Sequence, residues 1–217
     1  MFYDATKNDH GLKGDPFKAL VAPRPIGWIS SRGKDGSLNL APYSFFNAMA
    51  EDPHYVVFGS GGRKDSIRNI EDTGEFVCSL STYELRAHMN LSSAAVPRGV
   101  DEFKVAGLTP APGRLVNVPR VAESPVALEC KYWRTVELPQ ASAGEPHEYS
   151  VVFGRVVGVH IDDRYIKDGR VDTAAMQPIA RLGYSQYAVV RPDTVFSIVR
   201  PQIESDGRIL VPEPRKR

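Results

Sequence analysis

Two long runs of period-two alternation constrain this chain more than any other feature. In residues 126–138 the apolar positions Val126, Leu128, Cys130 and Tyr132 alternate with Glu129 and Lys131. That is the pattern of a strand with one buried face and one wet face. In residues 147–162 an apolar row of Tyr149, Val151, Phe153, Val157, Val159 and Ile161 is broken only by Arg155. The other face carries Val152, Gly154, Val156, Gly158 and His160. Glycine weakens a strand interior unless something must approach the backbone closely, so a close approach is expected at Gly154 and Gly158.

Shorter apolar runs at 55–58 and 76–80 read as buried strands. Segments 26–31 and 38–44 flank Gly33-Lys34-Asp35-Gly36, whose Asp-Gly step suits a hairpin turn. A last strand pair is expected at 187–190 and 194–199. Helices are expected at 65–73, 82–90 and 173–176. In the first, Asp65 is the expected N-cap, Ile67 and Ile70 share a face, and Gly74 supplies the stop. Residues 92–119, rich in Pro and Gly, form a long irregular stretch of the kind that borders a site. No strand–helix alternation builds a parallel sheet. The pattern predicts a mainly β fold, one antiparallel barrel with a few peripheral helices, in a single domain over 1–217 with its core at about 15–200.

The charge balance narrows the partners. With 27 basic and 26 acidic residues, the formal net charge is +1, which argues against nucleic acid, because phosphate-backbone binding needs a clustered basic excess. The closing Arg215-Lys216-Arg217 reads as a short solvated tail. The first fifteen residues lack the apolar core of a signal peptide, and no run is long enough to cross a bilayer. A cytoplasmic protein is expected, with Cys78 and Cys130 as reduced core residues. The five histidines and two cysteines are scattered without metal-ligand spacing, so no metal is expected. The motifs GxGxxG, P-loop, GxSxG and HExxH are all absent.

Three segments carry chemistry. GRKDS (62–66) opens the first expected helix, and a helix N-terminus offers unpaired amides and a positive dipole end to an anion. Arg63 and Lys64 add charge and Ser66 a hydroxyl, although the same residues also describe an ordinary capped helix behind a glycine loop. NLAPYSFFN (39–47) combines Pro42, which confines its strand to an edge or bulge, with hydroxyls, amides and three aromatics. It suits a flat ring, or simply a strand leaving a core. PRPIGWISS (23–31) brings Arg24, Trp28, Ser30 and Ser31, and a strand Trp is commonly core.

Taken in this order, the three segments resemble the flavin reductase-like family, and the resemblance runs from about Asp15 to Val190. It implies an antiparallel split β-barrel that binds FMN. It places Trp28, Ser30 and Ser31 beside the flavin, with Arg24 nearby. Asn39, Ala41, Pro42, Tyr43, Ser44, Phe45, Phe46 and Asn47 would form the ring platform. Ser60, Arg63, Lys64, Asp65 and Ser66 would form the phosphate cradle. GVHIDD (158–163) matches a family pattern that puts His160 near the nicotinamide or the flavin edge, as the catalytic candidate. ARLGYSQYAVV (180–190) matches the closing block, so Arg181, Tyr184 and Tyr187 are expected to face the site.

The resemblance further implies NAD(P)H as a transient electron donor, a homodimer, and in some members a partner monooxygenase. An FMN-carrying electron-transfer protein of the flavoredoxin type, with little NAD(P)H activity, is the alternative reading. A non-flavin barrel acting as a binding module is the third. The basic SSRGKDGS segment after Trp28 and the final residues 200–217 depart from the family pattern or lie beyond it.

Overall fold

The structure is a computed structural model that describes residues 1–140 and 149–211. The sheet is built from β1 (Gly27–Arg32), β2 (Leu38–Tyr43), β3 (Phe46–Glu51), β4 (His54–Gly61), β5 (Glu75–Leu80), β6 (Val126–Glu137) and β7 (Tyr149–Ile161). Its spatial order is β2-β1-β5-β6-β7-β4-β3, with every pairing antiparallel.

That order dictates closure. The two outermost strands, β2 and β3, are consecutive in sequence and joined only by Ser44 and Phe45. In a flat seven-stranded sheet the edges would lie roughly 29 Å apart. The step from Tyr43 to Phe46 reaches about 10 Å at most. The sheet must therefore curl until its ends meet. Side chains close the seam: the Phe46 ring of β3 fills the place where a Cβ on Gly27 of β1 would stand, and Tyr43 of β2 and Phe58 of β4 have ring centroids 4.7 Å apart. No ladder joins the two edges, so the barrel is split.

Strand alternation then sorts β1 between two cores. Ile29 packs inside the barrel with Tyr43, Phe58, Phe76, Cys78, Cys130 and Val152, and with Ile67 and Ile70. Trp28 points the other way, into a cluster with Leu40, Leu85, Met89 and Phe103. A short helix, α1 (Phe17–Leu20), precedes the sheet; Ile67 and Ile70 belong to α2 (Asp65–Thr73), which ends where Gly74 adopts the left-handed conformation. Leu85, Met89 and Phe103 come from around α3 (Arg86–Leu91) and α4 (Glu102–Val105). Cys78 and Cys130 are both free and buried. No helix among the described residues is long and apolar enough to cross a membrane.

Several expectations are corrected. Lys64, not Asp65, is the N-cap of α2, and its side chain makes no capping bond. The helix expected at 82–90 begins only at Arg86, because Thr82 is taken up by a bridge to Pro178 and by accepting the Leu85 amide. Residues 173–176 form turns, not a helix. Tyr187–Val189 pairs with Ile179–Arg181 and not with 194–199, which is no strand; a 3-10 turn at Pro192–Thr194 intervenes. The strand expected from His147 is described from Tyr149 onward. His147 and most of the loop before it, like Arg215–Arg217, lie outside the described residues.

The largest correction concerns Glu129. Period two assigned it to the wet face of its strand, yet it is fully buried. Residues 112–118 fold over that face, and the Glu129 carboxylate accepts the amides of Arg114 (2.7 Å), Leu115 (2.6 Å) and Val116 (3.0 Å). His160 Nε2 makes a further short contact to Glu129 Oε1. The close approaches at Gly154 and Gly158 are likewise filled from within. A Cβ at Gly154 would meet the Phe76 ring, and one at Gly158 would meet Leu115 and Glu129.

Candidate functional site

The seam where the sheet's ends meet opens into a cleft of about 950 Å³. Its floor is the outer edge of β2 and the end of β4, contributing Asn39, Ala41, Pro42, Tyr43, Ser44, Phe45, Gly59, Ser60 and Gly61. Edge position explains how proline is tolerated here. The Leu40 amide points away from β1 and is met by Glu102 Oε2 at 3.0 Å. Pro42, two residues on, occupies the equivalent outward position and leaves no donor unsatisfied. Glu102 sits buried at the cleft, and burial pushes its carboxyl above the usual range. Burial likewise raises the Tyr43 phenol.

One end of the cleft is the start of α2. Lys64, Asp65 and Ser66 line it, and the Ser66 hydroxyl accepts a hydrogen bond from Asn39 Nδ2 at 2.8 Å. The N-terminal amides of α2 have no side-chain cap. The Asp65 carboxylate, which would repel an anion there, is turned to Arg98 at 3.4 Å and Arg68 at 3.7 Å. The helix start thus keeps its positive end toward the cleft. Arg24, Arg181, Leu182 and Tyr184, with Asp15 and Lys18, also line the cleft, and residues 92–96 form a rim.

A family model described as Flavin reductase like domain matches residues 20–178. The chain belongs to the flavin reductase-like family. This flavin reductase-like chain is 39% identical over 193 residues to an uncharacterized protein of Deinococcus radiodurans, covering 83% of this chain and 82% of the relative. Among solved structures, nitrilotriacetate monooxygenase component B from Bacillus cereus aligns with a TM-score of 0.77 at 31% identity, over 87% of this chain and 95% of that one. The 2-nitrobenzoate 2-nitroreductase NbaA from Pseudomonas fluorescens aligns with a TM-score of 0.74 at 30% identity, over 88% and 91%.

The sequence-predicted residues of this flavin reductase-like protein divide cleanly. Asn39, Ala41, Pro42, Tyr43, Ser44, Phe45, Ser60, Lys64, Asp65, Ser66, Arg181 and Tyr184 come together on the cleft. The others do not line it. Trp28, Ser30 and Ser31 are fully buried. Ser30 donates to the Pro119 carbonyl at 2.5 Å, and Ser31 accepts from Asn69 at 3.3 Å. Trp28 acts at one remove: its Nε1 donates to Ser92 Oγ at 2.9 Å, and Ser92 is part of the rim. Phe46 packs into the barrel core, and Asn47 is exposed, with its side chain accepting the Ala48 amide. Arg63 turns to Glu71 on α2. Tyr187 lies off the lining and meets Arg181 through its hydroxyl at 2.5 Å.

His160 is also off the cleft. It lies near the far end of β7 from Tyr149, and Tyr149 is the β7 residue on the lining. Its ring is engaged by Glu129, so within the protomer it orients nothing in the cleft. Sequence reasoning missed Asp15, Lys18, the 92–96 rim and Glu102. Only the irregular, Pro- and Gly-rich character of 92–119 signalled any of them.

Proposed function

We propose that this protein binds FMN in the cleft and works as a flavin reductase with NAD(P)H as donor. The observation that carries this reading is the uncapped start of α2, flanked by Lys64 and Ser66, opening onto an edge strand lined by Tyr43, Ser44 and Phe45 in a member of the flavin reductase-like family. The donor set suits the group: amides, an ammonium and a hydroxyl for a phosphate, then backbone and hydroxyl groups beside aromatic carbon for a ring. The compact phosphate cradle and the absence of a second nucleotide motif favour FMN over FAD.

When bound, the flavin supplies hydride acceptance and onward electron delivery. Lys64 and Ser66 would hold its phosphate. Tyr43, Ser44 and Phe45 would hold its ring, and the 92–96 rim would limit access of water. A monooxygenase as recipient of reduced flavin is supported by the name of the Bacillus cereus relative. A homodimer is supported by Trp133, which is 55% exposed on the barrel's outer face beside Tyr55 and Phe153. Light scattering that returned a monomer still fully competent for FMN would end the dimer proposal. Two free buried thiols suit a reducing cytoplasm.

Equilibrium titration tests the cofactor directly. FMN should bind more tightly than riboflavin, and equal affinities would remove the phosphate cradle. Lys64→Ala should weaken FMN by about 1–3 kcal/mol, the scale of a lost charge-assisted hydrogen bond, and leave riboflavin nearly untouched. Loss of both ligands together would mean that Lys64 serves the fold instead. Anaerobic reduction by NADH or NADPH then separates a reductase from a flavoredoxin-like carrier, which would remain oxidised.

A further inference from the structure

Another part of the cleft lining holds a charge arrangement that FMN does not account for. Arg24 and Arg181 are 157 positions apart in the chain yet face each other directly across a short antiparallel pairing. Both line the cleft. Like charges placed directly opposite one another destabilise a strand pair.

Arg24 is only 6% exposed; its guanidinium donates to the carbonyls of Lys18 and Val21 and to that of Leu182 at 2.9 Å, and it lies 5.8 Å from the Phe45 ring centroid. Its Nε is buried without any hydrogen-bond partner. Arg181 is half-buried and meets the Tyr187 hydroxyl and the Tyr184 carbonyl. Among the described residues, neither arginine makes an ion pair. Burial first, and then the facing Arg181 charge, lower the basicity of Arg24. Asp15, also on the lining, spends Oδ1 on the Phe17 amide, and Glu102 is committed to Leu40. Lys18 adds a third cation to the same lining.

A buried guanidinium ordinarily has a carboxylate or phosphate partner. Two of them facing each other in an open cleft, with a buried N–H left over, lack that partner. We infer that Arg24 and Arg181 form a second anion-binding site in the cleft, which takes the phosphate or carboxylate of the molecule that exchanges electrons with the flavin. This rests on the proposed flavin site only for what carries the oxyanion; the site itself stands on the arginine pair. The cleft's volume of about 950 Å³ lies at the upper end of the range for a small-molecule pocket. The two anion sites, at α2 and at the arginine pair, would hold a cofactor and its co-substrate in one cleft.

The test begins without flavin. In Lys64→Ala apoprotein, which lacks the α2 cation, inorganic pyrophosphate or benzoate is titrated by calorimetry. At least one should bind, and adding Arg181→Ala should weaken it about tenfold or more, the scale of one charge-assisted bond. Arg181→Lys, which keeps the charge, should lie between. Circular dichroism establishes that each variant is folded, and Arg24 is left intact because it ties the 18–21 and 182 carbonyls together. Pyrophosphate as the preferred probe assigns the site to a nucleotide-bearing donor, and benzoate assigns it to a carboxylate acceptor. Unchanged binding of both in folded Arg181→Ala overturns the proposal. The second arm titrates FMN and riboflavin into Arg181→Ala with Lys64 intact. The preference for FMN should persist. If that preference vanished, the arginine pair would be holding the flavin's own phosphate, and the second site would be refuted while flavin binding stood.

Discussion

Replacing Glu129 by alanine should cost about 3–5 kcal/mol of stability, because it leaves several buried donors unsatisfied at about 1–3 kcal/mol each. In a chain of this size that corresponds to a fall in Tm of roughly 6–20 °C. The carboxylate is fully buried, and its loss strands three amides and the His160 ring at once. Glu129→Gln keeps the shape and one acceptor, so it should cost less. Hydrogen exchange should accelerate at Arg114, Leu115 and Val116 before it does elsewhere. A small loss spread evenly over the barrel would show that the 112–118 segment is held by other means.

The acid dependence follows from the same contacts. Burial by itself would raise the Glu129 carboxyl, but the His160 bond and the Arg114 and Leu115 amides together hold it below the usual carboxylate range. A folded value below the unfolded one gives a contribution that is complete above about pH 4.3, the ordinary glutamate value. That contribution is lost as pH falls through the folded value. The stability gap between wild type and Glu129→Gln should therefore narrow in that acid window. A gap independent of pH would assign the cost to packing alone.

Gly154→Ala should cost about 3 kcal/mol, at the upper end for one extra methyl in a packed core. The new Cβ would stand 2.2 Å from Phe76 Cζ and 3.2 Å from Cys130 Cβ. Phe76 has little room to yield, since it is fully buried and set edge-on against Phe58 at 5.8 Å. Phe76→Leu removes the colliding ring atoms, so the double variant should be more stable than the sum of the single losses predicts. Strict additivity in chemical denaturation would mean that the strand, not the ring, absorbs the methyl.

The same two positions show what the sequence made legible. Alternation located β6 and β7, and the hairpin turn and the stop at Gly74 are local signals written in adjacent residues. The β2 edge and the end of the GRKDS turn, read together from local chemistry, do come together on the cleft. Glu129 was misjudged because period two reports which face a residue is on, not what later folds over it. Glycines 154 and 158 were correctly read as close approaches, but the visitor is the protein's own Phe76 and Leu115. His160 meets Glu129 and does not line the cleft, a placement that depends on the same overlying segment. The Arg24–Arg181 juxtaposition depends on a strand pairing between distant segments, which no window of the sequence contains.

The manner in which residues 112–118 are held has a consequence for divergence. Glu129 grips this loop by its amides, and every non-proline residue supplies the same amide. Glu75 does the same for the Asn117 amide, while Val116 and Val118 anchor the loop in the core. Substitutions at the exposed Arg114 or Leu115 that spare the N–H can change the chemistry displayed on that surface while the loop stays where it is. Backbone capture by carboxylates in the barrel thereby lets the exposed positions of a structural segment vary, free to acquire new surface contacts without renegotiating the fold.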